Sequence, residues 1–264
     1  YTFTGWTGSN GTTAQKSVTI TKNNTGNKSY TANWSINSYY LDLNGTLDGA
    51  SVSNISGYGT ADVYIDGALK ESAVADFYQQ FTYGSKYEIK NIKATAGHTY
   101  NGVQSGSLTG TIGAGNVAVS LKFTSNAYTV NFNYNKPTTD GTIGNAGTTS
   151  KAVTFDSTYG TLPTPTLNGY TFAGWYTAAT NGTKVSDTTK YTTAGNSTLY
   201  AHWNLNTYSI SYTLNGGSVS GQPTSYNVNT ATFTLPTPTK TGYTFTGWTG
   251  SNGTTAQKSV SITK

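Results

Sequence analysis

Cysteine, methionine and arginine are absent from this sequence of 264 residues, and charged side chains make up only 9% of it. Without cysteine there are no disulfides and no thiolate ligands for a metal ion. All fifteen cationic side chains are lysines scattered along the chain, so the net charge of +5 lacks the planar guanidinium groups that nucleic-acid recognition favours. We therefore expect no nucleic acid among the partners of this protein.

Long apolar runs are also missing. No stretch approaches the roughly 20 consecutive apolar residues of a membrane-spanning helix, so we expect no membrane insertion by this part of the chain. A composition rich in threonine and tyrosine, without oxidisable sulfur, suits an exposed extracellular surface. We expect a protein that is extracellular, either secreted or attached to the cell surface, with any export signal outside these residues.

Internal repetition is the strongest signal in the sequence. Residues 1–22 match residues 243–264 at every position but one, Thr19 against Ser261, which sets a period of 242 residues. The match indicates one full period of a long array with a 22-residue overlap.

A shorter unit repeats inside this period. The string "LPTPT" occurs twice, at 162–166 and 235–239, each time beginning thirteen residues before a tryptophan. A spacing of 28 residues also recurs, from Trp175 to Trp203 and from Trp6 to Trp34. Matched spacings of this kind indicate a tandem-repeat protein built from small modules.

The shorter unit has the pattern of a set of β-strands. "YTVNFNY" at 128–134 and "YSISYTL" at 208–214 alternate apolar and polar residues, as half-buried strands do. In "GYTFAGW" the glycine before Trp175 breaks the alternation, so we expect a bulge that turns the indole into the core. "STLYAHW" closes the unit, with three side chains on one face: Leu199, Ala201 and Trp203.

These strings, in this order, resemble the internalin-type B-repeat (Listeria/Bacteroides repeat) of bacterial cell-surface tandem-repeat proteins. The resemblance covers residues 127–204 as a complete repeat, 205–264 as the N-terminal part of a repeat and 1–34 as the C-terminal half of another. It implies small, β-rich, grasp-like modules that act as stalk or adhesive repeats, and it brings no catalytic residues.

Residues 35–126 differ from the repeats and are predicted to form a distinct β-rich domain, which resembles PEGA-type surface sandwiches over one hairpin. The Asp66-Gly67 pair in that hairpin predicts a tight turn. Residues 68–81, "ALKESAVADFYQQF", leave helix and strand both open, because apolar residues share a helical face while valine, phenylalanine and tyrosine also suit a strand. We expect a mainly β chain with little helix: a string of small β-domains, with grasp-like repeats around a sandwich-like middle domain.

No group of residues indicates catalysis. His98 and His202 are the only histidines and stand in different modules, so we expect structural roles for both. Asp62 and Asp66 share a strand face, yet a ladder position and a turn explain them without a glycosidase-like pair. "DLNGTLDG" at 42–49 offers oxygen ligands but lacks the closing glutamate of an EF-hand loop, and favours a hairpin over a Ca²⁺ site. We expect no enzyme, no metal site and no cofactor.

The aromatic residues are the side chains best suited to binding, because five tryptophans and 21 tyrosines can stack on sugar rings or anchor protein contacts. Most lie at alternating strand positions, where core packing accounts for them. We expect Tyr176 and Tyr200, which point outward, to be the contact residues. We expect the five tryptophans to lie in cores: Trp6, Trp34, Trp175, Trp203 and Trp248.

Two functions follow as expectations. The first is a structural spacer in an extracellular bacterial repeat protein or fibre, in which the partial repeats at 1–34 and 205–264 complete one another head to tail between copies, by strand addition. The second is an adhesin module that binds a host glycan or host protein through exposed aromatics. An adhesive array should show an apolar patch on every module, whereas a spacer should show polar outer faces.

Overall fold

The computed structural model describes residues 1–137 and 141–263, and these residues contain strands and no helix. The expectation of a mainly β chain is therefore confirmed. Two compact units make up the chain: one contains residues 1–127 with 154–156 and 192–194, and the other contains the remainder. We use four names below: the head segment (1–34), the middle domain (35–126), the complete repeat (127–204) and the tail segment (205–264).

The head segment is a small antiparallel sheet. Its strands are β1 (Thr2–Gly8), β2 (Gly11–Gln15) and β3 (Tyr30–Ser35), in the order β2-β1-β3. The strand β3 therefore lies at one edge of this sheet.

The middle domain consists of two sheets on a shared core, as expected of a sandwich. Its strands are β4 (Ser38–Leu47), β5 (Ala50–Val52), β6 (Gly59–Ile65), β7 (Ala68–Val74), β8 (Phe77–Thr82), β9 (Lys86–Ala94), β10 (His98–Ser105), β11 (Thr109–Thr111) and β12 (Val117–Ser125). One sheet has the order β10-β12-β4-β5, with β8 also paired to β4, and the other has the order β11-β9-β6-β7. Leu43, Val63 and Val119 meet in the core between them and are fully buried.

Two local predictions in this domain have clear outcomes. Asp66 and Gly67 adopt φ of 50° and 81° between β6 and β7, which is the conformation of a tight hairpin turn. The helix alternative for residues 68–81 is wrong, because this segment forms β7 and most of β8.

The complete repeat is one mixed sheet with its own core. Its strands are β13 (Ala127–Asn133), β14 (Ser150–Thr154), β15 (Tyr170–Tyr176), β16 (Lys184–Val185) and β17 (Ser197–Leu205), in the order β14-β13-β17-β15-β16. The central strand β17 runs parallel to β13 and antiparallel to β15. Leu199 and Ala201 of β17 are buried and Trp203 packs against the same core, so the predicted inward face is confirmed.

The tail segment forms three two-stranded ribbons. Its strands are β18 (Tyr208–Ser209), β19 (Ser225–Tyr226), β20 (Phe233–Thr234), β21 (Trp248–Gly250), β22 (Gly253–Gln257) and β23 (Ser261–Ile262). They pair as β18-β19, β20-β23 and β21-β22. Only the first two residues of the strand expected at 208–214 are in a ladder, because the described part of the tail holds no counterpart of β17 to pair with them.

Candidate functional site

A bulge places the central tryptophan of the complete repeat. The register of β15 against β17 shifts between Phe172 and Gly174, and Gly174 has a φ of 131° that L side chains rarely adopt. The shift turns Trp175 into the core, where it is 2% exposed. The bulge expected from the glycine before this tryptophan is thus confirmed.

Both indole groups of the complete repeat are hydrogen-bonded. Trp175 Nε1 donates to the carbonyl oxygen of Pro163, at 2.7 Å, so the "LPTPT" segment supplies the acceptor. Trp203 Nε1 donates to the carbonyl oxygen of Tyr134, at 2.9 Å, in the chain just after β13. A buried donor without an acceptor lowers stability. These two bonds therefore hold the end of β13 and the proline segment against the tryptophans.

The head segment has the same pairing of strands around its tryptophans as the complete repeat, but no strand covers them. Trp6 pairs with Ala32 and Phe3 with Trp34, as Trp175 pairs with Ala201 and Phe172 with Trp203. Trp6 is nevertheless 37% exposed and Trp34 60% exposed. The expectation that these two tryptophans lie in a core is wrong, because within residues 1–34 no strand takes the place of β13 over them.

The tail segment has an open groove instead of a core. The groove has a volume of about 900 Å³ and lies between residues 209–215 and 243–252. Those two stretches are the counterparts of β13 and β15, and in the complete repeat β17 occupies the space between them. The apolar lining includes Ile210, Tyr212, Leu235, Phe245, Trp248 and Val260.

Trp248 is half-buried at the side of this groove, so it too falls short of the buried position expected for it. Its rings contact Tyr212 at 5.6 Å and Phe245 at 5.4 Å between centroids. Its Nε1 is buried and has no hydrogen-bond acceptor among the described residues. The equivalent atom of Trp175 donates to the carbonyl oxygen of Pro163. The indole N–H is therefore hydrogen-bonded in the complete repeat and unpaired among the described residues in the tail segment.

The two predicted contact residues lie together on the outer face of the complete repeat. Tyr176 and Tyr200 are directly opposite each other on β15 and β17, and both are half-buried. The ring of His202 stacks on that of Tyr176, with centroids 3.9 Å apart, and its Nε2 donates to the carbonyl oxygen of Ala178 at 2.9 Å. Three aromatic rings thus share this face.

The corresponding face of the head segment is polar. Thr7, Thr31 and Asn33 occupy the positions of Tyr176, Tyr200 and His202. Asn33 Nδ2 donates to Thr7 Oγ1 at 2.9 Å and to the carbonyl oxygens of Gly5 and Thr31. The outer aromatic patch is therefore a property of the complete repeat that the head does not share.

The other histidine, His98, is a packing residue in the first unit. It is buried, its Nδ1 lies 3.1 Å from Thr95 Oγ1, and its ring makes edge contacts with Tyr58 and Phe155. Its surroundings contain no carboxylate contact in the described structure that would poise it for proton transfer.

The two aspartates considered as an acid pair are bonded to backbone and amide groups. Asp62 accepts hydrogen bonds from the Asn91 side chain at 2.7 Å and from the Ala73 N–H at 2.8 Å. These bonds, the Asn91 one first, hold the pKa of Asp62 below its ordinary value of 3.8. Asp66 accepts from the Lys86 N–H at 2.7 Å in its turn.

The turn considered for Ca²⁺ is a hairpin. Asp48, with φ of 49°, uses both carboxylate oxygens to bind the N–H and hydroxyl of Ser125. Asn44 Nδ2 donates to Asp42 Oδ2, so the side chains of these two residues are hydrogen-bonded to each other. Across the described residues, no three acidic or histidine side chains come together in a way that could hold a metal ion.

Comparison with known proteins agrees with the strand and tryptophan pattern. The model of the Listeria-Bacteroides repeat domain matches residues 128–202 and 208–264, which together make up half of the chain. This chain belongs to the Listeria-Bacteroides repeat family. A second model, the divergent InlB B-repeat domain, matches residues 1–38, so the resemblance drawn from the sequence motifs is confirmed.

Relatives of this Listeria-Bacteroides repeat chain include Internalin H of Listeria monocytogenes serovar 1/2a, 42% identical over 85 residues, which are 32% of this chain and 15% of that protein. A putative membrane protein of Evansella cellulosilytica is 30% identical over 133 residues, 50% of this chain and 18% of its own length. A putative Gly-rich membrane protein of the same organism is 33% identical over 135 residues, 50% of this chain and 14% of its own. The chain thus spans less than a fifth of each of these relatives.

The family is one of internalin-like surface proteins and not an enzyme family. No helix in the described part of the chain is long and apolar enough to cross a membrane.

The sequence identified residues 205–264 as a partial repeat but did not predict the groove within them. Its signal was present, because residues 205–264 carry every motif of the complete repeat except the closing "TLYAHW".

Proposed function

We propose that this chain is a structural spacer of an extracellular bacterial repeat protein, attached to the cell surface or secreted. The observation that carries the proposal is that the middle domain and the complete repeat each have a separate hydrophobic core. Modules that close their own cores add length without depending on a ligand. The internalin-like relatives support the extracellular location.

The outer surfaces support a spacer over an adhesin. An adhesive array needs its contact patch on each repeat, yet Thr7, Thr31 and Asn33 replace the aromatic residues on the head segment. These polar groups are engaged with one another and with backbone, as Asn33 with Thr7. A surface of this kind interacts with water and contributes little to protein binding.

A second function, adhesion to a host glycan or host protein, is favoured by one observation only. Tyr176, Tyr200 and His202 form a continuous aromatic face on the complete repeat. Flat rings with polar edges are suited to stacking on sugars and to protein contacts. In this second candidate, Tyr176 and Tyr200 are the contact residues.

The test compares the wild-type chain with a double variant, Tyr176→Thr with Tyr200→Thr, which carries the residues of the head segment at both positions. Both proteins are applied to a glycan array and to immobilised extracellular-matrix proteins. A spacer gives the same background signal for both. Binding by the wild type that the double variant loses would overturn the spacer and establish the adhesin.

Mechanical independence is the second readout. Stretching the chain from its two ends in optical tweezers should give discrete, separate unfolding events for the middle domain and the complete repeat, because each has its own core. A single event that releases both modules at once would contradict independent modules.

A further inference from the structure

The outer face of one sheet of the middle domain carries a pair of stacked tyrosines. Leu41 and Leu43 of β4 point into the core, so Tyr40 on the same strand points outward. Tyr78 of β8 lies diagonally across the ladder from Tyr40, and the two rings are parallel, with an interplanar angle of 8° and centroids 4.2 Å apart. Tyr78 is nevertheless 58% exposed. A large aromatic surface is therefore open on this face.

A preorganised polar pair lies beside the tyrosines. Asp42 is directly opposite Tyr78 in the β4-β8 ladder, and Asn44 follows it on the same face of β4. The hydrogen bond from Asn44 Nδ2 to Asp42 Oδ2, 3.0 Å long, holds the two side chains together. In the described structure no protein group donates to Asp42 Oδ1 or Asn44 Oδ1. We call Tyr40, Asp42, Asn44 and Tyr78 the tyrosine face.

The strand on the other side of β4 leaves the tyrosine face open and uncharged overall. Ala118 of β12 is opposite Asp42 and is exposed, and its methyl group is too short to cover the carboxylate. The outward side chains of β4, β8 and β12 include one acid, Asp42, and one base, Lys122, and the others are neutral. The two charges balance, so this surface does not attract a strongly charged ligand of either sign.

We infer that the tyrosine face binds a neutral glycan chain of β-linked hexopyranose units. Equatorial hydroxyl groups leave the C–H faces of such sugars flat and apolar, and a flat apolar face stacks on a tyrosine ring, here that of Tyr78. Hydroxyl groups at the ring edge both donate and accept hydrogen bonds, as do the free oxygens of Asp42 and Asn44 together with the remaining N–H of Asn44. The inference goes beyond the spacer role, because a spacer needs no ligand.

The size of the tyrosine face favours a chain over a single sugar. From Tyr40 to Asn44 the strand β4 rises by about 13 Å, at roughly 3.3 Å per residue. This distance exceeds the width of one pyranose ring. Stacking and hydrogen bonding therefore act on neighbouring units of an oligosaccharide, with the aromatic pair at one end and the Asp42-Asn44 pair at the other.

The test is isothermal titration calorimetry of the full chain with four oligosaccharides. Cellohexaose and chitohexaose are neutral and β-linked, and they separate a plain glucose chain from one of N-acetylated amino sugars. Maltohexaose is neutral but α-linked and curved, and a hyaluronan hexasaccharide is β-linked but acidic. We expect saturable binding of cellohexaose, chitohexaose or both at millimolar concentrations or below, and none of maltohexaose or hyaluronan.

Three variants assign the binding to this face. Tyr78→Ala removes the exposed ring and should weaken binding about tenfold or more. Asp42→Ala removes the hydrogen-bonding carboxylate and should weaken it by a similar factor. Tyr83→Ala is the matched control, because Tyr83 is 42% exposed and follows β8 outside the tyrosine face. Circular dichroism and thermal unfolding of each variant show whether the domain remains folded.

NMR of the tyrosine rings gives a readout that does not depend on the variants. The glycan that binds should shift the ring signals of Tyr40 and Tyr78 in the wild-type chain and leave those of Tyr83 in place. Unchanged signals for Tyr40 and Tyr78, or binding that Tyr78→Ala retains in full, would overturn the inference. So would the absence of binding by both neutral β-linked chains, or a matrix protein that binds the wild type and not Tyr78→Ala.

The complete repeat provides the last control. The double variant Tyr176→Thr with Tyr200→Thr should bind the glycan like the wild type, because its changes lie outside the middle domain. Loss of binding in that variant would place the site on the complete repeat and overturn the inference. Failure of the tyrosine face leaves the spacer proposal intact, because separate unfolding of the modules tests that proposal without a ligand.

Discussion

At the scale of single residues, the same tryptophan has different surroundings in three copies of one motif. Trp175 is enclosed, Trp6 is partly exposed and Trp248 borders a groove. Local sequence explains the positive φ of the glycine before each of them. Burial depends on strands that come from distant parts of the chain, which is why the expectation of five core tryptophans failed for Trp6, Trp34 and Trp248.

Substitution of the enclosed and the exposed tryptophan should separate these two situations. Trp175→Ala leaves a cavity and removes the bond to Pro163, and should lower the local free energy of unfolding by about 3–5 kcal/mol. Trp6→Ala should cost about 1 kcal/mol or less, because the side chain is already partly in water. Amide hydrogen exchange at Ala201 and Ala32, the cross-strand partners, measures both. Equal losses at the two sites would contradict the assignment of separate environments.

Asp62 should make the middle domain dependent on acid pH. Because its folded pKa lies below 3.8, it contributes stability that is full above the ordinary pKa and is lost as pH falls through the lower folded value. Asp62→Asn should remove this contribution, and Asp76→Asn, at an exposed position, is the control. NMR titration of the carboxyl carbons together with thermal unfolding between pH 2 and 7 measures it. An Asp62 pKa at or above 3.8 would refute the prediction.

At the scale of elements, a feature is predictable from the sequence when it forms locally, and not when it depends on a distant strand. Leu69, Ala73, Phe77 and Phe81 are four residues apart, and such an interval returns to the same side of a strand as well as a helix. The pattern alone could not distinguish a helix from a strand in residues 68–81. The segment forms strands because β7 pairs with β6 and β8 pairs with β4. By contrast, Asp66-Gly67 needs no distant partner to form a turn, and it was predicted correctly.

The bulge glycines should differ in their tolerance of substitution. Gly5 and Gly174 have similar φ, 141° and 131°, so alanine carries backbone strain of about 1–2 kcal/mol at either position. A Cβ at Gly5 would also lie 2.6 Å from the backbone nitrogen of Gln15, whereas one at Gly174 would meet the flexible end of Lys184. Gly5→Ala should therefore open the β1-β2 hairpin and Gly174→Ala should not, as followed by amide exchange in each sheet. Comparable losses of protection would contradict the backbone clash.

At the scale of the whole molecule, the domain boundaries drawn from the sequence at 34, 126 and 204 stay predictions, as does the grasp-like character of the repeats. Sequence alone identified the repeat family because the order of motifs is specific. It did not show that residues 205–264 would contain a groove, because a groove depends on how segments that are distant in the sequence pack together.

Separate cores predict separate unfolding. Leu43→Ala in the middle domain and Leu199→Ala in the complete repeat each remove a buried side chain, and each should lower the stability of its own module by about 2–5 kcal/mol. Scanning calorimetry should show one transition shifted in each variant and the other unchanged. If either substitution moved both transitions equally, the modules would be a single cooperative unit.

The near-identity of residues 1–22 and 243–264 has a consequence for how such a protein changes over generations. A duplication or deletion with its breakpoints in these two segments adds or removes 242 residues and leaves each strand beside the partner it had before. The length of the protein can thus change by whole periods of 242 residues without the evolution of a new contact between modules.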